Sequence, residues 1–144
     1  MKYRNPILSG FHPDPSICRA GEDFYLVTST FEFYPGVPVY HSRNLVDWEL
    51  LGYCMTEENE FNLEKSAPSG GIYAPTIRYC EGMFFMITTN VSDKGHFIVY
   101  TEDIKKGWSK PQWISGGGID PTLFWDDDGR VYFVSNGNDE EGRS

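Results

Sequence analysis

The chain has 144 residues, of which 40 % are hydrophobic and 16 % aromatic, and it carries a formal net charge of −9. That length is about one domain's worth, and that apolar content excludes a disordered segment. The negative charge works against nucleic acid and anionic membrane, which both select clustered Lys and Arg, and favours a neutral ligand.

Residues 1–10, MKYRNPILSG, lack the apolar run of a secretory signal, and no window is long and apolar enough to span a membrane. A cytoplasmic location is the resulting expectation. Cys18, Cys54 and Cys80 are odd in number and far apart, so they read as buried free thiols rather than a disulfide framework or a zinc site.

In chain order, the first strong pattern is Asp14 to Ser29, DPSICRAGEDFYLVTS. It recurs as APTIRYCEGMFFMITT from Ala74 and as DPTLFWDDDGRVYFVS from Asp120. Each copy has an acid or Ala, then Pro, a short apolar strand, a turn, an aromatic-rich strand and a closing Ser or Thr. Repeats at this spacing point to stacked units or propeller blades. The reading is therefore all-β.

The first unit opens on Pro13-Asp14-Pro15, where two prolines stiffen the backbone and Pro15 predicts an extended Asp14. Strands are expected over Ser16–Ala20 and Asp23–Ser29 across Gly21-Glu22, then over Val37–Ser42 and Trp48–Tyr53. The polar, acidic run from Met55 to Ser69 reads as a surface loop. Gly70-Gly71 then allows close backbone approach ahead of the second copy.

In the second unit Ile77–Tyr79 and Met83–Thr89 pair across Glu81-Gly82, Phe97–Thr101 adds a strand, and Trp108 echoes Trp48. Gly116-Gly117-Gly118 delivers the third copy, which has two strands and a turn at Asp126–Gly129. The expected units are 14–54, 74–115 and 119–144, an incomplete propeller of about two and a half blades. Such an array reads as part of a longer one, with an open edge at which self-association is expected.

If the first strand of each blade lines the axis, Asp14 and Asp120 meet at one mouth, and Ala74 between them leaves room for a ligand. Two fixed carboxylates across a pocket fit glycoside hydrolysis, which in its inverting form separates them by about 6.5–9.5 Å. Phe31 and Tyr73 near the same mouth offer aromatic faces for a sugar ring. The bland alternative is that each Asp-Pro simply turns the chain into a strand.

The stretches NPILSGFHPDPSICRAGEDFYLVTSTFEFYPGVPVYHSRNLVDWELLG, SGGIYAPTIRY and GGIDPTLFWDDDG resemble the N-terminal part of glycoside hydrolase family 43, the β-xylosidases and α-L-arabinofuranosidases. The resemblance implies a five-bladed propeller and cofactor-free inverting hydrolysis of terminal xylose or arabinose from oligosaccharides. It implies that Asp14 is the general base and that Asp120 orients the acid and raises its pKa. Phe31 would border the terminal sugar, and Tyr73, where many relatives have Trp, would line the subsite with Ala74.

The family's third carboxylate, a Glu followed by Gly-Pro, has no match: Glu81-Gly82 continues to Met83 and Glu141-Gly142 to Arg143. The chain alone is therefore expected to be inactive, and the rival reading is a non-catalytic carbohydrate-binding or assembly module. Glu32 reads as a loop-bonding residue rather than the missing acid. His12, His41 and His96 read as ordinary strand or loop residues, and no metal is expected. The four tryptophans read as core rather than ligand platforms.

Overall fold

The structure is a computed structural model that describes residues 3–137. It contains ten strands: β1 Ser16–Ala20, β2 Asp23–Val27, β3 Gly36–Ser42, β4 Glu49–Met55, β5 Thr76–Cys80, β6 Met83–Asn90, β7 Gly95–Thr101, β8 Gln112–Trp113, β9 Ile119–Trp125 and β10 Val131–Asn136. They form two four-stranded sheets, β1-β2-β3-β4 and β5-β6-β7-β8, and a two-stranded sheet of β9 and β10. Every pairing joins neighbours in sequence and is antiparallel, so each sheet is a meander closed by short connections.

The opening hairpin of each sheet uses a different turn. Gly21 at φ +63° followed by Glu22 at ordinary φ has the pattern of a type II′ turn, whereas Glu81 (φ +49°) and Gly82 (φ +86°) form a type I′ turn. In the third, the Gly129 amide donates to the Asp126 carbonyl at 3.1 Å and Gly129 takes φ +82°, a longer loop of the type I plus bulge kind. Asp126–Gly129 is thus the hairpin turn expected of it. The first two copies keep one register, Ala20 opposite Asp23 and Cys80 opposite Met83.

The core lies between the two larger sheets. Val27, Val37, Val39 and Met55 of the first meet Ile77, Met86, Phe97 and Val99 of the second, joined by Ile72 and Phe61. Each such buried side chain contributes about 1.5–3 kcal/mol relative to exposure. Trp108 and Trp113 pack on this core from partly buried positions, and the Trp108 indole N–H is buried without a partner.

Two expectations are corrected here, and one strand is added. The run from Met55 to Ser69 is more than a surface loop, because it contains a 3-10 turn at Glu57–Asn59 and buries Asn59 and Phe61. Asn59 explains this: its side-chain amide donates to the carbonyls of Cys54 (2.8 Å) and Ser109 (3.2 Å) and its oxygen accepts from Thr56, which staples the connection across both sheets. Only Cys54 is a fully buried thiol; Cys18 and Cys80 are half-buried, though desolvation still pushes Cys18 up to about 12. The fourth strand of the second sheet is Gln112–Trp113, too short to leave a sequence pattern.

Among the described residues no helix is long and apolar enough to cross a membrane. The outer edge of β10 has no strand partner among them, and Val131, Tyr132 and Val134 along it are exposed. The expected end of the third unit, residues 138–144, lies outside the described residues.

Gly71 sits at φ +77° with the carbonyl of Phe31 against the place where a Cβ would point. A Gly71→Ala variant is expected to lose at least about 2 kcal/mol of stability, from strain plus displacement of the Phe31 backbone. Thermal or urea unfolding of the two forms measures this.

Candidate active site

Hydrogen bonds tie the first strands of the three sheets side by side. The Ser16 hydroxyl, two residues past Asp14, accepts from the Ile77 amide at 3.2 Å. The Thr76 hydroxyl, two residues past Ala74, donates to the Pro121 carbonyl, next to Asp120, at 2.8 Å. Further along the same two strands, the Arg78 guanidinium donates to the Thr122 hydroxyl at 2.9 Å. The starts of β1, β5 and β9 therefore form one rim, with Asp14, Ala74 and Asp120 in consecutive places along it.

Asp14 and Asp120 are both exposed and both hold a left-handed backbone, φ +53° and +55°. This corrects the extended conformation expected of Asp14. A proline on its C-terminal side disfavours the right-handed helical region, and a short polar residue is among the few that tolerate positive φ. Residues held in such sparsely populated regions concentrate at functional sites. Ala74 at the middle place does not share the feature.

The Asp14 carboxylate is fixed by a residue that the motif analysis did not single out. Ser29, the closing residue of the first repeat copy, donates its hydroxyl to Asp14 Oδ2 at 2.5 Å, while its amide donates to the Pro13 carbonyl at 3.1 Å. A hydroxyl–carboxylate contact of this length is charge-assisted and stronger than a neutral one. Its signal was present in the repeat: every copy closes on Ser or Thr, and in the first that hydroxyl returns across the hairpin to the opening Asp.

In the third copy the closing Ser135 instead donates to the Gly117 carbonyl at 3.2 Å. The same carbonyl accepts from His96 Nε2 at 3.0 Å, and His96 Nδ1 takes the Thr89 hydroxyl at 2.9 Å. This pattern sets the tautomer with the proton on Nε2. His96 is fully buried, so rather than an ordinary strand residue it is the post that anchors the glycine loop leading to Asp120.

Phe31 and Tyr73 are brought together as expected. Their rings lie 5.6 Å apart, edge to face, and the Phe31 and Ile72 backbones exchange two hydrogen bonds of 2.9 Å. Phe31 also holds a positive φ of +50°. Phe11 extends the cluster, 6.0 Å from Phe31 and 6.3 Å from Phe33, so the aromatic wall is larger than Phe31 and Tyr73. Glu32 turns away from it and accepts the Ser69 amide at 3.0 Å, the loop-bonding role expected of it.

A sequence model of the family described as "Glycosyl hydrolases family 43" matches residues 3–144. A protein named "Xylosidase/arabinosidase" from Butyrivibrio fibrisolvens is 49 % identical over 141 residues, which cover 96 % of this chain and 27 % of that protein. A "Beta-xylosidase" from Bacillus subtilis (strain 168) is 41 % identical over 142 residues, 94 % of this chain and 27 % of the relative. Among solved structures, "Bacteroides ovatus Xyloglucan PUL GH43B" superposes with a TM-score of 0.88 at 43 % identity, over 97 % of this chain and 30 % of that one. The chain thus spans about a quarter of the length of the curated relatives it matches.

Replacing Ser29 by Ala removes the hydroxyl and leaves the backbone bond to Pro13. The expected result is a carboxylate at Asp14 spread over several rotamers in a crystal structure, at a stability cost of about 1 kcal/mol. An Asp14 side chain that keeps one sharp conformation would show that Ser29 does not hold it.

Proposed function

Since the chain belongs to glycosyl hydrolase family 43, we propose that it is the N-terminal part of an inverting glycosidase that releases terminal xylose or arabinose from oligosaccharides. The observation that carries this reading is the pair of aspartates at equivalent repeat positions. Both precede a proline, both hold a left-handed φ, and both lie at the entrances of strands tied into one rim. A carboxylate whose backbone is strained and whose side chain is fixed is pre-aimed, which lowers the reorganisation needed when it accepts a proton.

In this reading Asp14 takes a proton from water as the water attacks the anomeric carbon, and Ser29 keeps the accepting lone pair oriented. Asp120 orients the proton donor and, as a neighbouring like charge, raises its pKa. Phe31 and Tyr73 pack against the sugar, and Ala74 leaves the space for it. The chemistry is acid–base throughout and calls for no cofactor.

The proton donor itself is a carboxylate in a Glu-Gly-Pro context, supplied by polypeptide outside this sequence. The first two sheets and the β9–β10 hairpin then correspond to blades over about 14–54, 74–115 and 119–144 of a five-bladed propeller. Without the donor the leaving group departs unprotonated, a loss of about 10²–10⁴ in rate.

The 144-residue chain is therefore expected to show no turnover of aryl xyloside or aryl arabinofuranoside, whereas a polypeptide extended to the length of its relatives hydrolyses at least one of them. In that longer form Asp14→Ala is expected to lower kcat by about 10²–10⁴. Turnover by the short chain that Asp14→Ala abolishes would overturn the assignment of the donor. An extended form that binds sugar without cleaving it would favour a binding module.

The edge of β10 that has no strand partner among the described residues, with Val131, Tyr132 and Val134 exposed, leads us to expect self-association of the isolated chain. Open strand edges with apolar side chains pair with other chains. Light scattering across a concentration series tests this, with a constant monomer mass as the contrary result.

A further inference from the structure

Trp113 is one of the two residues of β8 and pairs with Phe97 at the outer edge of the second sheet. Its indole packs on the Phe97 ring at 5.1 Å, and the ammonium of exposed Lys94 lies 5.2 Å from the indole centroid. A cleft of about 310 Å³ opens beside it, lined by Trp113, Lys94, Asp93, Asn62, Glu60 and Lys110 together with neighbouring backbone. A smaller cleft of about 160 Å³ shares Asn62 and Asp93 with it.

Register fixes where this cleft lies. Thr88 stands opposite Phe97 and Phe97 opposite Trp113, while the Thr88 hydroxyl donates to the Tyr73 carbonyl at 2.8 Å. The cleft is thus on the same rim as Tyr73 and three strands outward from β5, roughly 14 Å at ordinary strand spacing. It is distinct from the rim positions of Asp14 and Asp120, neither of which lines it. Its walls come from the second sheet with its loops and from the connection that precedes it, so all of them lie within this chain.

The lining sets the ligand class. Two ammonium groups, Lys94 and Lys110, face two carboxylates, Asp93 and Glu60, and Glu60 and Lys110 are already an ion pair. An anion or a cation entering here meets like charge along with opposite charge. A neutral polyol meets donors and acceptors for its hydroxyls. Trp113 adds a flat apolar face that Lys94, on a flexible stem, covers without a direct bond.

We propose that this cleft is a second carbohydrate site, which takes one neutral sugar ring of an oligosaccharide with its C–H face on Trp113 as Lys94 swings aside. Asp93, Asn62 and Lys94 engage the hydroxyls. A volume near the lower bound for ligand pockets suits a single ring. The choice of a xylose or arabinose oligomer as ligand rests on the function proposed above, but the cleft does not require that function.

The test is a ¹H–¹⁵N titration of the 144-residue chain with xylotetraose and, separately, arabinotetraose, following the Trp113 indole N–H. A saturable shift is expected with at least one of them, with Kd about 1 mM or weaker. It is expected to persist in Asp14→Ala and to weaken at least about threefold in Asp93→Ala, whose exposed side chain leaves the fold intact. Trp113→Ala, read from the Asn62 and Lys94 backbone amides because the indole signal is gone, should weaken binding about tenfold, with Asp93→Ala carrying the test if loss of the Phe97 contact loosens β8.

No saturable shift with either sugar overturns the proposal. So does a shift that Asp14→Ala abolishes, which would place the sugar at the mouth, or one indifferent to both Asp93→Ala and Lys94→Ala. A failure of the catalytic reading would leave the Trp113 shift in place, so the two ideas fail separately.

Discussion

The arrangement depends on two side-chain hydroxyls that bridge sheets. Ser16 takes the Ile77 amide and Thr76 reaches the Pro121 carbonyl, which fixes the sideways order of β1, β5 and β9. A sheet satisfies its hydrogen-bonding groups by pairing strands, and nothing in that pairing sets where one sheet lies against another. Hydrophobic burial brings sheets together without direction. The hydroxyls supply the direction, because each bond is made at one offset only.

Both hydroxyls occupy the same place in the repeat, the third position of the opening motif: Ser16 and Thr76, two residues after Asp14 and Ala74. A motif that reads acid or Ala, Pro, Ser or Thr therefore encodes a chemical group, a break in the chain and a docking bond in three consecutive residues. Much of the remaining site follows from that economy. The closing Ser29 returns across the hairpin to the Asp14 that opened it, so one unit both displays a carboxylate and restrains it.

The sheets were legible because the alternation of β-branched and aromatic residues between Gly-containing turns is a short-range signal. The hairpin tips at Gly21-Glu22 and Glu81-Gly82 fall where that signal puts them. β8 was not legible, since two residues cannot show a period of two. The buried face of the Met55–Ser69 connection escaped notice for another reason. Its anchor is Asn59, a polar residue that is buried because it satisfies three backbone groups at once, and composition cannot distinguish such an asparagine from one in solvent. The site's residue types were readable from the repeat together with the family resemblance. The backbone of Asp14 was not: proline's effect on its predecessor gives a preference, and tertiary contacts around Ser29 and Pro13 overrode it. His96 carried no motif, and its importance comes only from meeting Gly117, 21 residues away.

The differing hairpin tips have a practical corollary. β1 and β5 run away from the rim, so the bends lie at the end of the sheets opposite it; their glycines hold positive φ and tolerate no side chain, but Glu22 and Glu81 beside them are exposed. These bends are natural handles. A fluorophore, an affinity peptide or a surface tether attached there would orient the rim of Asp14, Ala74 and Asp120 outward, which would let immobilised protein be interrogated without masking the groups under study.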